Sequence, residues 1–243
     1  MTETSPDLII EPSELAACLP DDKFLLVAVC QARVFSALHI PGSVLVEPAE
    51  LVSGGKPAPG KLPDKARLDA LFSRIGLSPD RHVIAYDDEG GGWAGRLIWT
   101  LDVIGHARYS YLNGGLVAWR QGGFPLSTDA ASVTPTDYEC GIDRRVLADK
   151  EDVLQAIEDP DVLIWDARSP EEYTGTRVTA LRNGHVPGAI NLDWVELMDR
   201  DNDLRLLPRD LLREKLARRG IVPGKRVITH CLSHHRSGLT YLV

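Results

Sequence analysis

The chain has 243 residues, a formal net charge of −8 and a sequence pI near 5.4, so it can bury one large core or two ordinary ones but has no basic excess to hold a nucleic-acid backbone or an anionic membrane. No apolar run approaches a membrane-spanning length, and Met1–Asp7 lacks the positive stretch and apolar core of a signal peptide. A cytoplasmic monomer with neither nucleic-acid nor membrane partners is the expectation. The four cysteines, Cys18, Cys30, Cys140 and Cys231, form no C-x-x-C pair, so spacing supports neither a disulfide framework nor a zinc site. Cys18, Cys30 and Cys140 read as small apolar fillers.

In chain order, Phe24–Ala28 reads as a buried strand and is followed by His39-Ile40-Pro41-Gly42-Ser43-Val44. A helix is predicted from Pro63 to Gly76, opening near a proline and closing on a glycine, then a turn at Leu77–Asp80 and a strand at Val83–Ala85. The segment 126–145, rich in Pro, Ser, Thr and Asp, reads as a surface linker, though Asp137–Ile142 could support a hairpin. The same series then returns. Val162–Asp166 reads as a strand, His185-Val186-Pro187-Gly188-Ala189-Ile190 repeats the earlier turn, Pro208–Gly220 is a helix and Val227–Thr229 a strand. The basic residues of Arg209–Arg226 alternate with leucines, as on the solvated face of an amphipathic helix. Strands and helices alternating at this spacing predict two α/β domains, each a mostly parallel sheet flanked by helices, over 6–125 and 146–243.

The registers of the two copies agree. Gly76 precedes Asp87 by eleven positions, and Gly220 precedes Cys231 by the same eleven. Asp87 therefore stands where the second copy carries its cysteine, and the first copy is expected to have lost the chemistry. Cys30 likewise falls where the second copy has Arg168. About eight extra residues in 174–184 read as a loop insertion on the second copy. The first copy continues nearly forty residues past Asp87 and the second only twelve past Cys231, which predicts a truncation from a chain of roughly 270 residues.

Cys231 opens a short loop, Leu232-Ser233-His234-His235, between the predicted strand and a helix starting at Arg236-Ser237. Backbone N–H groups of Leu232 to Ser237, beside the free donors of a helix start, would favour negative charge on the sulfur and make it a nucleophile. An inert buried cysteine would not explain why Ser, two His and Arg crowd one turn. His230, Cys231, His234 and His235 could also be read as zinc ligands, but neighbours at a strand end point opposite ways and do not converge easily.

Taken together, the strand end Asp166-Ala167-Arg168, the duplicated His-[Ile/Val]-Pro-Gly turn, Leu112–Trp119 and Cys231-x4-Arg236-Ser237 resemble the tandem-domain rhodaneses, or thiosulfate sulfurtransferases, along essentially the whole chain. The resemblance implies an inactive first domain and a catalytic second one. It implies that Cys231 takes a sulfur from a small donor such as thiosulfate, holds it as a persulfide and passes it to cyanide or a thiol, with neither metal nor organic cofactor. The loop amides of residues 232–237 and Arg236 would hold the anions, Asp166 and Arg168 would brace the loop, and Trp194 would wall the pocket or fill the core.

Two departures touch the substrate. Glu172 and Ser233 stand where the thiosulfate-specific pattern carries cations, and protonated His234 and His235 are expected to replace them in part. Two alternatives remain open: a regulatory or sulfur-carrying module of the same fold, and a cysteine phosphatase, whose related loops set five residues rather than the four here between Cys and Arg.

Overall fold

The computed structural model describes residues 7–179 and 182–243, in which each copy of the repeat holds its own parallel sheet. In chain order the first copy holds β1 (Ile9–Ile10), α1 (Pro12–Cys18), β2 (Phe24–Val29), α2 (Ala32–Ala37), β3 (Val44–Val46), α3 (Lys65–Arg74), β4 (His82–Tyr86), α4 (Gly92–Val103), β5 (Tyr109–Leu112) and α5 (Gly115–Gln121). Its five strands are all parallel, in the order β1-β5-β4-β2-β3. The second copy holds α6 (Lys150–Ala156), β6 (Val162–Asp166), α7 (Pro170–Thr174), β7 (Ile190–Asn191), β8 (Met198–Asp199), β9 (Arg205–Leu206), α8 (Arg209–Arg218), β10 (Arg226–His230) and α9 (Arg236–Leu242). Its parallel sheet runs β10-β6-β7, and β8 and β9 form a small antiparallel ribbon.

The strand residues are apolar on both faces because helices cover both faces of a parallel sheet. In β2 the alternation is direct: Leu25, Val27 and Val29 join one core, and Leu26, Ala28 and then Cys30 join another. The first of these cores crosses the boundary between the copies, since it also takes in Trp165, Leu192, Leu197, Met198 and Leu239. The repeat is visible in the pairing. Phe24 lies beside His82 in the first sheet as Val162 lies beside Arg226 in the second, so Asp87 and Cys231 both sit immediately past the carboxyl end of the corresponding strand.

The linker carries no strand, so the hairpin reading of Asp137–Ile142 does not hold; the segment is fastened along the first domain instead. Cys140 is buried and its N–H donates to Asp69, Thr136 Oγ1 donates to the Leu77 carbonyl at 2.6 Å, and the Asp143 N–H donates to the Val103 carbonyl. Burial raises the Cys140 and Cys30 thiols to about 12, which keeps both protonated. Cys18 is exposed, contrary to its reading as a core filler, because it falls on the outer face of α1. Residue 6, where the first domain was drawn to begin, and residues 180 and 181 of the 174–184 loop lie outside the described residues. Among the described residues no helix is long and apolar enough to cross a membrane.

The two domains meet where α4 crosses α9. A Cβ on Gly95 would come within 2.4 Å of the Gly238 carbonyl, and a Cβ on Gly238 within 2.4 Å of the Arg96 nitrogen, so only glycine permits this backbone approach. Around the crossing, Tyr109 and Tyr241, one from each domain, donate to the two oxygens of Asp102 at 2.7 and 2.6 Å. On the far side, Asn113 accepts from the Leu206 N–H at 2.8 Å and donates to Glu11, which also pairs with Arg205. Gly95→Ala is expected to lower unfolding stability by about 1–3 kcal/mol through overpacking at the crossing; urea denaturation measures it, and an unchanged midpoint would show that the helices can slide apart at no cost.

Candidate functional site

Cys231 sits at the mouth of β10 with its side chain buried, and the Ser237 hydroxyl, one turn into α9, donates to its sulfur at 3.6 Å. The short loop between them carries Leu232 on its exposed rim and turns on His234, whose φ of 58° is left-handed. The same loop in the first domain shows what this local geometry does. There the Asp87 carboxylate accepts from five backbone N–H groups: Glu89, Gly90 and Gly91 on Oδ1 at 3.2, 3.1 and 2.8 Å, and Trp93 and Ala94 on Oδ2 at 3.0 Å each. Burial and Glu89 push the Asp87 carboxyl upward and the amide bonds oppose them. The first copy thus has a carboxylate where the second has Cys231, and its amide cradle is filled by that carboxylate.

Below the loop, at the end of β6, Asp166 is fully buried and Arg168 pairs with it twice, through Nε at 2.8 Å and Nη2 at 2.6 Å. Arg168 also donates to the Gly184 carbonyl, and this hydrogen bonding to Asp166 raises its guanidinium further. His230 Nε2 lies 3.8 Å from Asp166, and burial first of all keeps the His230 imidazole below its usual range. The pair therefore lies beside the residue preceding Cys231.

The structure adds partners to the charges around the loop. Arg236 stays beside the Cys231 sulfur and is tied down there by Glu172: both of its Nη atoms donate to that carboxylate, Nη2 at 3.0 Å, and Glu172 is only 4% exposed, whereas the two histidines are not free cations. The carboxylate standing where a cation was expected thus holds the loop arginine in place. Hydrogen bonding to Arg236 pulls Glu172 below its usual range, and Glu172 with Cys231 raises Arg236. His234 does not supply a cation either, since burial, Arg96 and His230 lower it to about 4. His235 turns away to pair with Glu89 of the first domain, and its ring lies between Trp93 at 4.7 Å and Trp194 at 5.2 Å. Trp194 thus walls the site.

The first domain builds the opposite wall. The His235 ring rests where a Cβ on Gly92 would be, and a Cβ on Gly60 would come within 2.4 Å of the Ser233 carbonyl. Arg96, beside the crossing glycines, is 1% exposed and donates through Nε and Nη2 to the Leu51 carbonyl at 3.2 and 2.8 Å. Glu89, Trp93, Arg96 and Gly60 escaped the sequence reading because it treated the first copy as a relic; the triple glycine 90–92 was the available signal of a close approach. The zinc reading fails on geometry: His235 faces Glu89 and His230 faces Asp166, and among the described residues no cluster of three or more His, Cys, Asp or Glu could hold a metal ion.

A Rhodanese-like domain model matches residues 11–122 and again 149–243. A thiosulfate sulfurtransferase of Azotobacter vinelandii is 43% identical and one of Pseudomonas aeruginosa 46% identical, each over 97% of this chain and 86% of the relative. The crystal structure of the Escherichia coli 3-mercaptopyruvate sulfotransferase SseA superposes with a TM-score of 0.86 at 27% identity, covering 98% of this chain and 93% of that one.

The Glu172 to Arg236 pair gives a pH-dependent prediction. Because Glu172 is held below its ordinary 4.5, the stability it contributes is complete above that pH and is lost as pH falls through the lower folded value. Glu172→Gln should therefore destabilise the protein at neutral pH by about 2–4 kcal/mol, leaving Arg236 unpaired. Urea titrations should show the gap between wild type and variant narrowing as the buffer is taken below pH 4.5, and a gap independent of pH would rule the ion pair out as its source.

Proposed function

Because this chain belongs to the rhodanese-like family of sulfurtransferases, we propose that it moves sulfane sulfur from thiosulfate to cyanide or a thiol through a persulfide on Cys231. The observation that carries this reading is the duplicated loop: in one copy five amides enclose the Asp87 carboxylate, and in the other Cys231 stands at the corresponding position. A cradle that holds a buried carboxylate suits an anionic sulfur adduct.

In the first step the Cys231 thiolate attacks the outer sulfur of thiosulfate. A new S–S bond forms, the donor's S–S bond breaks and sulfite departs with the electron pair, leaving a persulfide anion. In the second step cyanide carbon, or an acceptor thiolate, attacks the terminal sulfur and Cys231 leaves as thiolate, so the enzyme returns to its starting state. The amides of residues 232–237 receive the terminal sulfur, and Ser237 donates to the Cys231 sulfur throughout. Arg236 sits over the adduct, positioned by Glu172. Asp166 and Arg168 fix the strand end that carries the loop, and Trp194 with Trp93 confines His235 at the rim.

Thiosulfate is taken as the donor because the relatives at 43% and 46% identity are thiosulfate sulfurtransferases. After incubation with thiosulfate and desalting, intact-mass measurement should show one added sulfur, and cyanide should remove it with release of thiocyanate. Cys231→Ser should abolish both, since a hydroxyl is too weakly acidic to replace the thiolate. Sulfur appearing on Cys18, Cys30 or Cys140 instead would overturn the assignment.

A further inference from the structure

Among the described residues, Arg96 is a fully buried guanidinium without a carboxylate partner. It is 1% exposed on α4 of the first domain, with its guanidinium carbon 4.4 Å from the centre of the Trp99 ring. Among the described residues no carboxylate pairs with it, whereas Arg168 has Asp166, Arg236 has Glu172 and Arg205 has Glu11. A buried, unpaired cation costs several kcal/mol by general experience, and cores do not retain one without a counter-charge.

The placement identifies the counter-charge. Arg96 follows Gly95, whose backbone touches Gly238 of α9, one residue beyond the serine that donates to Cys231. Its Nε and Nη2 are both used on the Leu51 carbonyl, which fixes the head group. The segment that leaves Leu51 returns at Gly60 against Ser233, so the guanidinium is walled in by α4, α9 and this segment on the loop side of the interface. Burial pulls Arg96 down to about 10 and the Cys231 sulfur opposes that shift; His234 is lowered first by burial and then by Arg96.

We propose that Arg96 of the first domain is an electrostatic positioning residue for the second: its otherwise unpaired charge holds the anionic sulfur on Cys231 across the domain interface. The inference rests on Cys231 being the sulfur carrier. The other groups facing that sulfur are Arg236 from α9, whose guanidinium is shared between Glu172 and the sulfur, neutral His230 and His234 in the loop, and the Asp166–Arg168 pair at the end of β6, which is internally balanced. Arg96 adds to these a cation that no carboxylate pairs with among the described residues.

The local potential at the sulfur can be read by alkylating Cys231 with anionic iodoacetate and neutral iodoacetamide. Both reagents attack the same thiolate, so the ratio of their rates cancels the ionised fraction. Arg96→Gln can still donate to the Leu51 carbonyl and should lower the ratio roughly fivefold, the scale of losing one charge at short range in a partly buried site. Arg96→Lys keeps the charge and should restore most of it. A folded Arg96→Gln protein with the wild-type ratio would overturn the proposal. If no neutral variant folds, the wild-type protein still decides: its ratio should exceed that of free cysteine in the same buffer, and a ratio at or below it overturns the proposal equally. Failure of wild-type Cys231 to acquire sulfur from thiosulfate would sink the functional reading, whereas an unchanged ratio with an intact persulfide would sink only the role of Arg96.

Discussion

Backbone contact between Gly95 on α4 and Gly238 on α9 sets the geometry on which the site depends. Two helices that carry side chains at a crossing keep their axes 8–10 Å apart, and glycines let them approach more closely. Because each helix begins just after a strand-end loop, drawing the helices together brings the two loops face to face. His235 then reaches Glu89 and the surface of Gly92, and Ser233 meets Gly60. The loop of Cys231 is thereby faced by residues of the other domain.

The duplication divides one task between two copies. Each strand-end loop can gather amides around a negative charge, but the first copy fills its cradle permanently with Asp87 and becomes rigid. Its role is then architectural, supplying Trp93, Glu89 and Arg96 as a wall. The second copy keeps the exchangeable position. Most cations near Cys231 are matched by a carboxylate, as with Arg168 and Asp166 or Arg236 and Glu172, so the site positions its arginines without accumulating positive charge. Such pairing favours specificity of geometry over brute attraction for anions.

The repeat, the strand positions and the loop bearing Cys231 were legible in the sequence because they are local. The continuous apolar run of β2, proline and glycine at the helix ends and the eleven-residue spacing to Asp87 and Cys231 each depend on residues close along the chain. The linker was legible only in outline. Its polar composition announced a surface path, but whether Asp137–Ile142 paired with itself or with α3 depended on Ser73 and Asp69, which lie 65 or more residues away.

By itself the sequence determined the family and the paired α/β folds, since each is written in short motifs repeated in order. Only the tertiary structure decided how charge is distributed around Cys231. Glu172 is 64 positions from Arg236 and Glu89 is 146 from His235, so neither pairing could be inferred from spacing, and each changes what its partner can do. His234 illustrates the physical reason. In sequence it is a histidine in an anion-binding loop that should gain a proton, but burial and two neighbouring basic groups, brought in by the fold, keep it neutral.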